Sequence, residues 1–372
     1  MENQPLVCTT AQFEQLLDRL KGAGYTLLGP TLGDESIVYG ELQSAQNLPI
    51  GWTDEQGPGT YRLKRRNDMS YFGYSCGQDS WKKYFFPAKE RVWSANKQDG
   101  RLEIVQEPLS DKKRAFIGIR ACDVQSLFVL DRVYQNRVAT SQRYQRLREN
   151  TFIVAVNCTT CSKTCFCNSM QSGPAVKRGF DIALTEVIDD QHHFFVLEIG
   201  SEQGGSIVKG LSLREASDEE IKLAHFCVER TKETMVRKVD YDHVHDILVE
   251  SWASQEWDNV VKRCINCANC TLVCPTCFCA NTEDQVSLDA THTERWKCWE
   301  SCFNMSHSYI HGGSVRSSAQ SRYRQWLTHK FGSWWDQFGL SGCVGCGRCI
   351  TWCPVGIDVT EELANLQKER SV

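Results

Sequence analysis

Two cysteine motifs with the same spacing, C-x2-C-x2-C-x3-C-P, lie in the C-terminal third of the sequence. Three thiolates spaced by two residues can bind three corners of an iron–sulfur cubane, while the fourth cysteine ligates the cluster of the other motif. A zinc site needs four ligands and no C-x3-C-P continuation, so the spacing favours two [4Fe–4S] clusters. The predicted ligands are Cys264, Cys267, Cys270 and Cys353 for the first cluster, and Cys343, Cys346, Cys349 and Cys274 for the second.

A second group of cysteines precedes these motifs and follows two short apolar runs. Cys122 comes after the run 116–119, and a C-x2-C-x3-C-x-C motif comes after the run 151–156. A helical segment from 124 to about 149 joins the runs, so both should be parallel strands of one sheet. Their carboxyl ends then meet at one edge, where α/β proteins bind ligands. We predict a third [4Fe–4S] cluster there, with zinc or reactive redox-sensing thiols as alternatives. Its ligands would be Cys122, Cys158, Cys165 and Cys167, with Cys161 as the substitute.

The remaining cysteines carry weaker signals. Cys8, Cys76 and Cys227 are isolated, and we expect them to be core or surface residues. His307 and His311, at i and i+4, favour a capped or solvated helix face over a metal pair. Four cysteines after the first motif are expected to pack around the clusters rather than to bind a further one. These are Cys277, Cys279, Cys298 and Cys302, the last two spaced by one helical turn.

The predicted secondary structure indicates how these sites are positioned. A helix with apolar residues at i, i+3, i+4 and i+7 begins near Thr9, and a turn at Asp189 predicts a hairpin. The stretch between the two motifs is helical in character, for example over residues 322–331. We therefore predict an α/β (or α+β) domain over residues 1–240, followed by an α-helical ferredoxin domain over residues 241–372.

The overall composition excludes several protein classes. The 372 residues include 42 Lys+Arg and 46 Asp+Glu, and this net charge of −4 argues against nucleic acid as the main partner. No apolar run approaches the ~20 residues of a membrane span, and the N-terminus shows no signal-peptide pattern. A chain with 20 cysteines that is neither small nor secreted fits metal binding in the reducing cytoplasm. Without a dinucleotide or P-loop fingerprint, we predict no flavin or NAD(P) site and no catalytic residue on this chain.

Several segments together resemble a known family. They are GIRACDVQSLFVLDRVY, the N-C and T-C-F-C elements after it, GFDIALTEV, the first cysteine motif with its extension CPTCFC, WESCF, and RYRQWLTHKFG with the second cysteine motif. These segments resemble the β subunit of cytoplasmic [NiFe] hydrogenases of the sulfhydrogenase type, a family that includes the corresponding iron–sulfur subunit of anaerobic sulfite reductase. The resemblance implies that the R-x-C-D, N-C and T-C-F-C cysteines are cluster ligands. In this sequence those cysteines are Cys122, Cys158, Cys165 and Cys167.

The resemblance also implies an iron–sulfur subunit that relays electrons within an oxidoreductase complex and has no catalytic site of its own. Its implied partners are a flavin- and NAD(P)-binding subunit together with, in hydrogenases, an iron–sulfur small subunit plus a [NiFe] large subunit. In the sulfite reductase, a sirohaem subunit takes the electrons, and the sequence does not choose between the two complexes. A self-contained enzyme with its active site at 122–167 and an iron–sulfur redox sensor remain as alternatives.

Overall fold

The computed structural model describes residues 4–98, 100–135 and 140–370, which form a mixed α/β structure. The strands are β1 (Leu6–Thr9), β2 (Thr26–Leu32), β3 (Ile37–Glu41), β4 (Trp52–Gly57), β5 (Thr60–Arg65), β6 (Lys89–Gln98), β7 (Arg101–Gln106), β8 (Arg114–Arg120), β9 (Thr151–Val156), β10 (Ile182–Ile188), β11 (His193–Ile199), β12 (Arg214–Glu215), β13 (Ala280–Val286), β14 (His292–Trp299), β15 (Tyr309–Ile310) and β16 (Gly313–Ser314). The helices are α1 (Thr10–Gly22), α2 (Ala121–Tyr134), α3 (Gln142–Glu149), α4 (Glu202–Val208), α5 (Asp218–Thr234), α6 (Val244–Glu250), α7 (Glu256–Val261), α8 (Asn269–Leu272), α9 (Ala319–Thr328), α10 (Trp334–Phe338), α11 (Arg348–Thr351) and α12 (Val359–Arg370).

The larger sheet has the strand order β12-β1-β11-β10-β9-β8-β2-β3, and its central strands β10, β9, β8 and β2 are parallel. The prediction that the runs 116–119 and 151–156 are parallel neighbours is therefore confirmed. Two helices, α2 and α3, connect them where one was predicted, and residues 136–139 between these helices lie outside the described residues. The hairpin predicted at Asp189 is also confirmed, as β10–β11.

Helix α1 shows how the sequence pattern determines packing. Thr9 caps the helix in a capping box with Gln12, which satisfies backbone donors that would otherwise be unpaired. The residues spaced at i, i+3, i+4 and i+7 are fully buried against the sheet. Burying a leucine of this kind contributes roughly 1.5–3 kcal/mol, so an alanine at Leu16 would leave a destabilising cavity. The buried residues are Phe13, Leu16, Leu17 and Leu20.

A second sheet, β13-β14-β6-β7, corrects part of the sequence interpretation. Residues 280–299, which were predicted to be helical, form the β13–β14 hairpin, because β14 pairs along its length with β6. Cys298 therefore lies on a strand and is not one helical turn from Cys302. The helix predicted over 322–331 is confirmed as α9 and the π-helical turn His329–Ser333 that follows it. Because β6 precedes residue 240 and β14 follows it, this sheet crosses the predicted domain boundary.

The C-terminal helices surround a second apolar core. Helices α6, α7, α9 and α12 bury its side chains, among them Leu248, Trp257, Leu327 and Leu363. Five of the eight motif cysteines pack against this core, namely Cys264, Cys270, Cys343, Cys349 and Cys353. Within the described ranges, no helix has the length and apolar character needed to cross a bilayer.

Candidate metal centres

The two cysteine motifs have the same backbone conformation. The third and fifth positions of the first motif, Asn266 and Ala268, adopt left-handed φ values of 55° and 66°. Gly345 and Gly347 hold the same positions in the second motif, with φ values of 62° and 76°. A short helix follows in each case, α8 in the first motif and α11 in the second. The repeated turns direct three closely spaced thiols toward one side of each loop.

A cavity next to the first motif is lined by Cys264, Cys267 and Cys270 and also by Cys353 of the second motif. The four thiols that sequence spacing assigned to one cluster thus face one space. The rest of the wall is apolar and aromatic, which would exclude water from a bound group. It includes Phe303, Tyr323, Trp326 and Ile357.

A second cavity is lined by Cys343, Cys346 and Cys349 and by Cys274 of the first motif. Trp326 and Cys349 line both cavities, so the two spaces are neighbours. Each motif therefore contributes its last cysteine to the cavity of the other motif. This arrangement is the one that crossed ligation of two cubanes requires, and the residue types fit iron–sulfur clusters.

A buried ammonium group lies beside the second cavity. Lys330, only 4% exposed, is held in the π-helical turn His329–Ser333 and also lines this cavity. Its Nζ is 3.6 Å from the Cys274 Sγ, 3.3 Å from the Cys277 Sγ and 2.9 Å from the Thr276 Oγ1. Burial alone would lower the pKa of Lys330, but the nearby thiolates of Cys274 and Cys277 outweigh it and raise the pKa. The second cavity thus has a permanent positive charge in its wall.

The upstream cysteines gather at the carboxyl ends of β8 and β9, as the parallel strands predicted. Cys122, Cys165 and Cys167 are buried in one apolar cluster. Cys158 is partly exposed, and its Sγ lies 3.8 Å from the guanidinium Nη1 of Arg120. This loop also contacts the second motif, because the Phe166 N–H donates to the Gly345 carbonyl at 2.9 Å. Cys161 lies at the edge, with its thiol 3.3 Å from the Thr234 hydroxyl.

Sequence reasoning missed Cys76 as a member of this site. Its Sγ lies 3.9 Å from the Cys122 Sγ and 3.8 Å from the Asp123 Oδ2, and all three residues are buried. The segment around Cys76 is held there because the Arg120 guanidinium donates to the carbonyls of Phe72 and Tyr74, each at 2.8 Å. An isolated cysteine has no spacing signal, so only the fold could reveal this neighbour.

One buried ion pair links the upstream site to the second motif. The Arg348 guanidinium donates two bonds of 2.9 Å to the Asp123 carboxylate, and both side chains are completely buried. The same guanidinium donates to the carbonyls of Gly77 and Asp79 at 3.1 and 3.0 Å. Because Asp123 follows Cys122 and Arg348 precedes Cys349, the pair fixes the two cysteine sites relative to each other.

Two cysteines outside the predicted sites influence each other's protonation. The Cys302 thiol is the main cause of a lowered pKa of Cys279, and Cys279 raises the pKa of His307. His307 and His311 lie in turns beside β15, so the helix face predicted for them is wrong. Burial, and then the Glu283 carboxylate on the adjacent strand, raise the pKa of Cys298.

Comparison with known proteins agrees with this geometry. Residues 263–357 match the family described as a 4Fe–4S dicluster domain, a span that includes both cysteine motifs. The chain is 26% identical over 359 residues to the sulfhydrogenase 2 subunit beta of Pyrococcus furiosus, and the alignment covers 96% of each protein. No solved structure matches the chain. The chain therefore contains a 4Fe–4S dicluster domain and is similar, over nearly its whole length, to a sulfhydrogenase β subunit.

Proposed function

We propose that this chain is an iron–sulfur electron-transfer subunit of a cytoplasmic, hydrogenase-type oxidoreductase complex. The observation that carries the proposal is the pair of adjacent cavities, in each of which three cysteines of one motif meet the last cysteine of the other motif. When bound, [4Fe–4S] clusters supply one-electron transfer. The chain's own residues hold the ligands in place and exclude water, since Trp326 and the neighbouring apolar side chains line the space between the two sites.

We assign the crossed ligand sets to these two clusters and a third cluster to Cys122, Cys158, Cys165 and Cys167. The third assignment is supported by the burial of Cys122, Cys165 and Cys167 in one cluster of side chains. Phe166, between two of these cysteines, lines the second cavity. The three sites would then form a row from the upstream site through the second cavity to the first cavity, where Cys267 is exposed to solvent.

The proposed partners follow from the electron chemistry and from the similarity to a sulfhydrogenase subunit. Nicotinamides release two electrons as hydride and clusters accept one at a time, so a flavin- and NAD(P)-binding subunit must convert between them. On the other side, we propose an iron–sulfur small subunit together with a [NiFe] large subunit. A sirohaem subunit in place of these two is the alternative that the proposed experiment distinguishes.

The test is native mass spectrometry and iron analysis of the anaerobically purified complex. Three cubanes predict about 12 irons in this chain, and two predict about 8. A nickel–iron subunit in the set of co-purified proteins would support the hydrogenase assignment, and a sirohaem subunit would replace it. A value near 8 with about one zinc per chain would remove the third cluster. A chain that is isolated alone, without iron, would contradict the proposal as a whole.

The relay role also predicts what the isolated chain does with electrons. It should exchange electrons with artificial dyes yet fail to oxidise NADH or NADPH until the flavoprotein partner is added. Oxidation of NADPH by this chain alone, with no flavoprotein detectable, would contradict the relay assignment and favour a self-contained enzyme.

A further inference from the structure

A cleft of about 510 Å³ opens beside the upstream cysteine site. Helix α2 lines it from its first residue, Ala121, which directly precedes Cys122. Leu340 also lines the cleft and packs against the buried side chains that include Cys122, Cys165 and Cys167. The cleft and the proposed third cluster therefore share a wall.

The segment 170–178 forms another part of this wall and is bonded to two of the proposed ligands. The Ser172 N–H donates to the Cys167 carbonyl at 3.0 Å, and the Cys158 N–H donates to the Pro174 carbonyl at 3.1 Å. These bonds hold the segment next to the cysteine loop. A molecule seated in the cleft would thus lie close to the upstream site.

The rim of the cleft is positively charged. Arg132, Lys177 and Arg178 line it and are exposed, whereas no described aspartate or glutamate lines it. Within residues 4–98, 100–135 and 140–370, none of these three cations forms an ion pair. Arg178 lies instead over the Phe128 ring, 4.9 Å from its centroid. Because the whole chain has a net charge of −4, this concentration of positive charge is a local feature.

The distribution of charge favours a polypeptide over a small anion. A site for a small anion would gather buried donors around one point, but these three cations are exposed. The cleft also has apolar side chains in its wall, among them the buried Val124 and Met170. An apolar centre inside a charged rim is typical of protein–protein contacts, and the rim charges steer the partner to its site. The complementary partner surface should carry carboxylates.

We propose that this cleft docks a carboxylate-rich segment of the partner subunit that exchanges electrons with the upstream cysteine site. The proposal rests on the proposed function for its partner and its cluster. Each transfer moves one electron, so the partner's centre is oxidised as the cluster is reduced, or the reverse. The proposed row of clusters then reaches the surface at both ends, at Cys267 of the first cavity and at this cleft.

The first experiment uses the native complex without any variant. A carbodiimide joins a lysine amine directly to a carboxylate that contacts it. At low salt it should join the Lys177 peptide to an acidic peptide of a partner subunit, as identified by mass spectrometry. About 1 M salt should largely prevent the cross-link, because screening then limits charge interactions to about 3 Å. Partner cross-links that exclude Lys177, with Lys177 acetylated equally in the complex and in the isolated chain, would overturn the proposal.

The second experiment compares two charge reversals of equal size. Lys177→Glu/Arg178→Glu should weaken partner binding at low salt by about tenfold or more and reduce its salt dependence. Lys112→Glu/Lys113→Glu is the control, because these lysines directly precede β8 and the cleft lies beyond its other end. The control should bind like the wild type. Equal affinities of the two variants for the partner would overturn the proposal.

Two further measurements separate docking from other causes. The Lys177→Glu/Arg178→Glu chain should keep the iron content of the wild type, so that weaker binding reports docking and not cluster loss. Inorganic phosphate should displace the partner no better than chloride of equal ionic strength, and stronger displacement by phosphate would replace the docking surface with a small-anion site. An iron-free complex cross-linked through Lys177 would contradict the proposed function but support the docking surface. A chain that purifies alone at low salt would contradict both.

Discussion

The two cysteine motif loops have the same spacing and the same left-handed turns, but their surroundings differ. In the first loop, Ile265 is 60% exposed and Cys267 is exposed. In the second loop, the glycines are buried beneath the segment that carries the upstream cysteines. A Cβ on Gly345 would come within 2.7 Å of the Cys167 Cα, and one on Gly347 within 2.4 Å of the Thr164 carbonyl oxygen. The ligand spacing determines the turn, whereas packing determines which residue can occupy it.

The difference suggests separate tasks for the two loops. The exposed first loop can present its cluster to a partner, because little protein lies between Cys267 and solvent. The buried second loop links the upstream cysteines to the rest of the chain and must keep its geometry. Substitutions at equivalent positions of the two loops should therefore have unequal effects.

The largest effect is expected from replacing a cysteine that one motif contributes to the cavity of the other motif. Cys353→Ser lies in the second motif but should remove or convert the cluster of the first cavity, whose wall includes Cys353. Electron paramagnetic resonance and iron analysis should show a loss of up to about four irons, with the other cubane signals retained. Cys298→Ser serves as the control and should keep all the iron. A loss confined to the cluster of Cys343, Cys346 and Cys349 would contradict the crossed ligand sets.

The next effect compares Arg348 with Asn269, which holds the same position in the first motif. Arg348→Ala leaves the buried Asp123 carboxylate without its charged partner, and losing one member of such a pair typically costs about 3–5 kcal/mol. Asn269→Ala removes a hydrogen bond to the Trp352 carbonyl and should cost about 1 kcal/mol. Anaerobic urea unfolding followed by circular dichroism would measure both values. Equal decreases in the free energy of unfolding for the two variants would show that the two loops are held equally tightly.

The third effect concerns the left-handed positions themselves. Gly347→Ala should destabilise the protein by about 1–3 kcal/mol, because φ is 76° and the added Cβ meets the Thr164 carbonyl oxygen. Ala268→Gly should change stability by no more than about 1 kcal/mol, since relief of left-handed strain offsets the greater entropy of an unfolded glycine. The same unfolding assay would compare them. A harmless Gly347→Ala would mean that the 164–167 segment does not pack tightly on the second loop.

The sequence predicts these sites well where the signal is local. The spacing of Cys264 to Cys274 and of Cys343 to Cys353 specifies the turns, and the apolar runs around β8 and β9 specify a parallel pair. Cys76 could not be predicted, because its place beside Cys122 depends on contacts 46 residues apart in the chain. The β13–β14 hairpin was also missed, since β13 is exposed along its whole length and has no apolar face. Pairing of β14 with β6, which lies far upstream in the chain, stabilises it instead.

The smallest expected effect is a shift in midpoint potential. It follows from a difference between Cys274 and Cys353, the two cysteines that each line the cavity of the other motif. Cys274 has the Lys330 ammonium 3.6 Å from its sulfur, whereas the Cys353 sulfur accepts a neutral backbone N–H from Ile357 at 3.3 Å. A reduced cluster has one more negative charge, so the ammonium should favour reduction of the second cluster. Lys330→Met should lower the midpoint potential of that cluster by on the order of 50 mV, which corresponds to about 1 kcal/mol for one electron.

Potentiometric titration followed by electron paramagnetic resonance would measure this shift in the cluster-loaded chain. The potential of the first cluster should move less, because Lys330 lines the second cavity and not the first. Lys330→Arg keeps the positive charge and should restore most of the potential, which separates a charge effect from a change in packing. If methionine and arginine at this position gave the same potential, the buried ammonium would not be the group that distinguishes the two clusters.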